Sequence, residues 1–305
     1  MSGVGVAELQ PLIAAIGAVL LGKQQQVRLA LSCLLAGGHL LIEDRPGMGK
    51  TTLAEGLARS FALAFKRVSF TSDLLPSDLI GMQVFEAATA QFRFQPGPLF
   101  TQVLLADEIN RASPRTQSAL LEAMAAGRVS VDGTSHPLPQ PFFVIATQNS
   151  LDQVGTSPLP EAQLDRFLMR LSLGYPSRQA ERQLLAGEAQ GLEQLRTAFS
   201  ADQLASLQQR CRRQHCAEPV LDYVLDLVAA SRASGLGLSP RASQGLLAAA
   251  RAWSLLEGRD HVCLDDVQWV LPAVAEHRLD GGAPSDAMAA APLSAALLQQ
   301  VDALR

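Results

Sequence analysis

The chain has 305 residues, about two domains at roughly 150 residues each, and is long enough to build a core that needs no staples. With 25 Lys and Arg against 29 Asp and Glu, a formal net charge of −4, it lacks the basic excess by which a dedicated nucleic-acid binder grips a phosphate backbone. Hydrophobic residues at 48% and charged residues at 18% exclude a disordered chain, and four cysteines are too few for a disulfide scaffold.

The first apolar run, Pro11 to Leu21, is about half of the roughly 20 residues that a membrane-spanning helix needs. Glu8 precedes it where a signal peptide carries Lys or Arg, and Gly22, Lys23 and a run of glutamines follow where small residues of a cleavage site belong. A buried or amphipathic first helix in a cytoplasmic protein is the expectation. Helical periodicity continues to Leu35 and stops at Gly37 and Gly38. His39 to Glu43 then reads as a short buried strand, residues 44–49 as a Gly-containing turn and Lys50 to Ala64 as a helix. Further apolar strands are predicted at Arg67 to Phe70, Val103 to Ala106, Phe142 to Ala146 and Phe167 to Leu173, with a helix over Pro114 to Ala126. Strands alternating with helices predict an α/β fold, a parallel sheet covered on both faces. Met82 to Phe94 alternates with period two, and Val129 to Val131 runs into Asp132 and Gly133, so two small hairpins interrupt the rhythm.

Beyond Pro176 strand signals stop, and helices are predicted at Arg178 to Ala189, Ala201 to His215, Pro219 to Ser234, Pro240 to Glu257 and Leu264 to Val274. The expected division is an α/β domain over residues 1–175, an all-helical domain over 176–280, and a Gly/Ala/Pro-rich connection with a terminal helix over 281–305.

Pro46, Gly47, Met48, Gly49, Lys50, Thr51 and Thr52 form the right-hand part of a phosphate loop, placed between a strand and a helix as that motif requires. Glycines let the backbone approach a polyphosphate, successive N–H groups and the helix N-terminus attract its charge, Lys50 reaches the β and γ phosphates, and Thr51 offers a hydroxyl to Mg²⁺. An ordinary Gly-rich turn is the plainer alternative. Asp44 stands where the pattern has its first glycine; Asp tolerates positive φ, and its carboxylate must point away from phosphate. Asp107 and Glu108 end a buried strand, where α/β sheets hold ligands; Asp107 suits the Mg²⁺ water shell, and Glu108 suits activation of the attacking water. Asn149 ends the next strand and would sit level with Glu108 if the two strands are neighbours, within reach of the water or the γ-phosphate.

These residues resemble those of a MoxR-type AAA+ ATPase. The resemblance rests on Gly-Met-Gly-Lys-Thr-Thr at 47–52, Leu-Ala-Asp-Glu-Ile-Asn-Arg-Ala at 105–112, Ala-Thr-Gln-Asn at 146–149, Pro-Leu-Pro-Glu-Ala-Gln-Leu-Asp-Arg-Phe at 158–167 and Leu-Ser-Pro-Arg-Ala at 238–242. It implies an αβα P-loop AAA+ core with a helix-2 insert and a pre-sensor-1 hairpin, a helical lid, and ATP with Mg²⁺ between them. It assigns Arg166 as an arginine finger reaching the neighbouring subunit's ATP, with Arg170 as substitute, and Arg241 as the lid's sensor-2 residue. Ser239 as N-cap and Pro240 as first helical residue put Arg241 in a first turn, where a cation opposes the helix dipole by roughly 0.3–1 kcal/mol, so phosphate is the expected reward. A homo-oligomeric ring, expected to be a hexamer, is implied. So is chaperone-like remodelling of a protein client, in many relatives with a partner bearing a von Willebrand factor type A domain. Ser150 departs from the proline common in the family, and Arg111 is typical of it without an assignable contact.

Competing readings are a nucleic-acid motor, a chelatase motor subunit and a non-hydrolysing nucleotide switch. Val129 to His136 carries no Lys or Arg to grip nucleic acid, and intact Glu108 and Asn149 argue against the switch. Cys211, His215 and Cys216 lie close in sequence but lack a fourth zinc ligand at a recognisable spacing, and Arg210, Arg212 and Arg213 read as a solvated face. Phe92 and Phe94 read as the packed side of the first hairpin, with an exposed client-gripping pair as the alternative.

Overall fold

A computed structural model describes residues 9–149, 155–233, 237–281 and 292–302. Ser150, most of the 281–291 connection and the chain's first eight residues lie outside them.

Helices α1 (Leu9–Val19) and α2 (Gln24–Leu35) lead into strand β1 (Leu40–Glu43) and helix α3 (Lys50–Ser60). Then come β2 (Phe65–Ser69), α4 (Pro76–Ile80), a hairpin of β3 (Gly81–Glu86) and β4 (Gln91–Pro96), β5 (Val103–Asp107) and α5 (Pro114–Ala126). A second hairpin, β6 (Arg128–Val131) and β7 (Thr134–Pro137), precedes β8 (Phe143–Gln148), α6 (Glu161–Leu164) and β9 (Met169–Leu171). Helices α7 (Arg178–Leu185), α8 (Ala201–Arg212), α9 (Glu218–Ala233), α10 (Pro240–Leu256), α11 (Leu264–Leu279) and α12 (Pro292–Gln300) complete the chain.

The main sheet has five strands in the order β2-β5-β8-β1-β9, all parallel, and each hairpin is a separate antiparallel pair. Its inner strands are apolar up to their carboxyl ends because both faces are covered, and alternate residues enter different cores. Leu40, Ile42, Val103, Leu105, Phe143 and Ile145 pack with α1, α2 and α3, whereas Leu41, Leu104, Ala106, Val144 and Ala146 pack with α5. The first of these cores continues without interruption into α8, α9, α10 and α11, so the helical region is seated on α2 rather than held at a distance. Ser32 donates to the Ala249 carbonyl and Gln208 to that of Leu34, satisfying polar groups in this seam.

The αβα layers and both hairpins match the expectations, with Asp132 and Gly133 at positive φ in the second turn as a tight hairpin of that kind requires. Helix α11 differs: it passes through Pro272 and ends at Leu279, five residues beyond the expected stop at Val274. A proline inside a helix removes one hydrogen bond and crowds the preceding turn. Val270, Leu271, Ala273, Val274 and Ala275 are buried around it, and at about 1.5–3 kcal/mol for each large apolar side chain their burial outweighs that loss. The extra turn carries His277, Arg278 and Asp280 back to the sheet.

Candidate nucleotide site

The loop between β1 and α3 turns on Gly47 and Gly49, at φ of 82° and 92°. A Cβ on Gly49 would lie 2.5 Å from Leu20 Cδ1, so the residue after α1 crowds one side of the loop, and the positive φ is what favours glycine there. Pro46 is exposed, while Met48, Gly49, Lys50, Thr51 and Thr52 are half-buried; Met48 packs on the main core, and Thr51 and Thr52 stand in the first turn of α3, whose free amides face the loop. Lys50 Nζ donates to the Asp44 carbonyl at 2.8 Å, which holds the ammonium across its own loop. Burial pushes the Lys50 amine down, opposed by the negative charges of Asp44, Asp107 and Glu108.

Asp44 keeps its carboxylate away from this concave side, as expected, but without a left-handed backbone: the non-glycine residues at positive φ are Ala62, Ala90, Glu108 and Asp132 among those described. The carboxylate instead accepts from Ser172 Oγ at 2.9 Å, from the Leu173 amide and from the Gly174 amide at 3.3 Å. Lys23 grips the same segment from the other side, donating to the carbonyls of Gly174 at 3.0 Å and Tyr175 at 2.7 Å. Lys23 is only 5% exposed, and burial lowers its pKa while Asp44 opposes the shift. The phosphate loop and the chain leaving the sheet are thereby stapled together. Lys23 carries no sequence signal for this, because it follows an apolar run as any helix-breaking polar residue does.

At the carboxyl end of β5, one hydroxyl organises both acids. Thr147 Oγ1 donates to Asp107 Oδ1 at 2.6 Å and accepts from the Glu108 amide at 2.9 Å. Arg67, on the neighbouring β2, donates to Asp107 Oδ2 through Nε at 3.2 Å and Nη2 at 2.5 Å. Burial alone would raise the Asp107 carboxyl, but the bonds from Thr147 and Arg67 and the charges of Arg67 and Lys50 bring it below its ordinary value. Glu108 sits in the left-handed region at φ 58° and ψ 49°, a conformation that costs a non-glycine residue of the order of 1–2 kcal/mol and occurs where surroundings impose it. Arg111 Nε pairs with its carboxylate at 2.8 Å, the contact that sequence reading could not supply.

β8 lies between β5 and β1, with Ala146 opposite Ala106 and Gln148 opposite Glu43, so the conditional expectation for Asn149 is met in its premise. Half-buried Asn149 follows β8 at the carboxyl edge, between the phosphate loop and the acid pair. Thr51 and Asp107 offer hard oxygen donors, the kind Mg²⁺ selects, and are the residues that would hold it. Bound there, the ion would neutralise charge on phosphate oxygens.

The arginines lie elsewhere. Arg166 precedes β9, which runs parallel to β1 with Met169 opposite Leu40, so it stands at the amino edge of the sheet, opposite to the phosphate loop. Its Nη1 donates to the Leu121 carbonyl of α5 at 2.9 Å. Ser239, the N-cap of α10, bonds Asp165 at 3.2 Å, which brings Arg241 to the same edge. Exposed Arg241 is felt there electrostatically: burial pushes His39, at the start of β1, down to about 4, and the Arg241 charge adds to the shift. Arg170 is no substitute finger, because its side chain is 8% exposed and locked between Glu43 and Asp280. Among the described residues, then, the structure gathers Gly47 to Thr52, Asp107, Glu108 and Asn149 at one edge, and Arg166 with Arg241 at the other.

Residues 39–169 match the family described as ATPase family associated with various cellular activities (AAA), and residues 228–300 match its lid domain. The chain is 40% identical to the chaperone MoxR1 of Mycobacterium tuberculosis, over 90% of this chain and 76% of that protein. It is 35% identical to the protein MoxR of Paracoccus denitrificans, over 87% and 86% of the two chains. The crystal structure of a Cytophaga hutchinsonii protein assigned as an ATPase superposes at a TM-score of 0.83, with 31% identity over 97% of this chain and 95% of that one.

The chain belongs to the MoxR-type AAA+ ATPases. It binds nucleotide and hydrolyses ATP. Two features outside the nucleotide site of this MoxR-type ATPase can be placed. Cys211 is buried, which pushes its thiol up to about 12, while His215 is exposed and tied to the Asp260–Val262 loop; among the described residues no group of three or more His, Cys, Asp or Glu is placed to hold a metal. In the first hairpin, Phe94 packs on Phe100 and stacks on His136 at 4.0 Å, but Phe92 is 71% exposed and, among the rings of the described residues, meets its cross-strand partner Phe85, so the expected packed side holds for one aromatic and fails for the other. Phe85 is exposed as well, so this cross-strand pair is left uncovered. No helix among the described residues is long and apolar enough to cross a membrane.

Proposed function

We propose that this ATPase works as a closed ring, expected to be a hexamer, in which each ATP is held by the phosphate loop of one subunit and completed by Arg166 and Arg241 of the next. The observation that carries this reading is the separation of the two groups to opposite edges of one sheet. Within a subunit, main-chain amides of residues 47–51 and the Lys50 ammonium bind the phosphates, Thr51 and Asp107 serve Mg²⁺, and Asn149 orients the γ-phosphate or water. Glu108 takes the proton of the attacking water, held at its post by Thr147 and Arg111. Arg166, and Arg241 beside it, stabilise the charge that develops as phosphate leaves.

A pocket assembled from two copies makes turnover depend on assembly. Specific ATPase activity is expected to rise with protein concentration in parallel with ring formation in sedimentation, and constant specific activity down to a monomer would reject the shared pocket.

Hydrolysis then drives remodelling of a protein partner. The exposed Phe85–Phe92 pair supports a protein rather than nucleic acid: beyond Arg128 the second hairpin has no Lys or Arg, and the chain is acidic overall. ATP-loaded Glu108→Gln protein is expected to retain a protein partner from extract and to lose it on added Phe92→Ser; retention indifferent to Phe92 would exclude the hairpin as the contact. The resemblance suggests a von Willebrand factor type A domain in that partner.

A further inference from the structure

The last turn of α11 reaches out of the helical region and takes hold of the segment that bears Arg166. Arg278, with a side chain 7% exposed, donates Nε to Asp165 Oδ1 at 2.7 Å and Nη2 to the carbonyls of Asp165 at 3.1 Å and Phe167 at 2.8 Å. Its Nη1 reaches the Leu168 carbonyl at 3.3 Å and that of Val274. These contacts use all five guanidinium donors. His277 Nε2 lies 3.3 Å from the Phe167 carbonyl; burial holds this imidazole well below its ordinary pKa, so it stays neutral and donates there.

An arginine at a helix C-terminus ordinarily satisfies the carbonyls of its own last turn. Here one acceptor, Val274, belongs to the helix, and the rest flank Arg166 on both sides. The mount is rigid at its other end too, because Asp280, two residues on, pairs with Arg170, which also holds Glu43 at the end of β1.

We infer that Arg278 is a positioning residue for ATP hydrolysis, fixing the backbone on either side of Arg166 so that the finger meets the neighbouring subunit's γ-phosphate. The inference rests on the finger reading of Arg166 given above. Its effect is exerted in trans: loss of Arg278 impairs the next subunit's pocket and leaves its own intact.

A lysine keeps the charge opposite Asp165 but cannot span the carbonyls at once, and displacement of a catalytic group by about 1 Å can cost of the order of 10²-fold in rate. Arg278→Lys and Arg278→Met are therefore expected to lower kcat by roughly 10- to 100-fold with KM for ATP unchanged. The deciding measurement mixes each variant with Glu108→Gln subunits, which lack turnover but present a well-mounted finger. Turnover above the sum of the separate proteins supports the inference, since an intact pocket then sits beside an intact finger. Arg166→Ala mixed with Glu108→Gln is the parallel control. Rescue of Arg166→Ala without rescue of the Arg278 variants overturns the inference and spares the finger reading; failure of both overturns both. Unchanged kcat in the Arg278 variants also overturns it. If Arg278→Met does not fold, as a thermal melt would show, the lysine variant alone decides by the same mixture.

Discussion

Glu108→Gln is expected to lower ATP turnover by about 10²- to 10⁴-fold while nucleotide affinity stays as in the parent protein. Glutamine has the size of glutamate and can hold the same left-handed backbone, whose amide still donates to Thr147. What it lacks is a basic oxygen for the water's proton. Asp107 keeps its bonds from Thr147 and Arg67, and Lys50 keeps its place over the loop, so the phosphates are gripped as before. Phosphate release and direct titration with Mg-ATP separate the two properties. Normal turnover would remove Glu108 from the chemistry, and lost affinity would make it a structural acid.

Arg166→Ala is expected to reduce turnover by roughly 10³- to 10⁵-fold, the range over which arginine fingers act, again without loss of ATP binding. The reason is positional. Within one subunit the residue lies at the amino edge of the sheet and bonds the Leu121 carbonyl, far from the loop it must serve. Its removal costs the fold one half-buried hydrogen bond, about 0.5–1.5 kcal/mol, so the thermal midpoint should shift little. A variant that hydrolyses ATP at the parental rate would reduce Arg166 to a structural contact of α5.

Much of this was legible in the sequence because the sheet is buried on both faces. Val103 to Ala106 and Phe143 to Ala146 must then be apolar at every position, and the polar residues that follow them, Asp107, Glu108 and Asn149, stand out as the edge where the chain stops burying itself. The phosphate loop was legible because its backbone needs glycine at 47 and 49 whatever surrounds it. Long-range stitching was not. Nothing local says that Asp44 reaches Leu173, that Lys23 reaches Tyr175, or that Thr147 serves two acids at once; each partner is remote in sequence and ordinary in type. Arg170 illustrates the limit: it stands four residues after Arg166 as the substitute finger, and the two carboxylates packed around it, both remote in sequence, are what exclude it. Helix α11 errs in the opposite sense, since its expected stop at Val274 gives way to tertiary burial that carries the helix through Arg278 to Leu279.

The expected domain boundary near residue 176 follows the last strand, yet the apolar core crosses it, through α2 against α10 and α8.

The most direct test is the structure of ATP-loaded Glu108→Gln protein in its assembled form. The β and γ phosphates are expected against the amides of Gly47 to Lys50 in one subunit, with Arg166 of its neighbour at the γ-phosphate. A triphosphate bound at that loop with every arginine at its γ-phosphate drawn from the same chain, or a loop around Gly47 left empty, would contradict it.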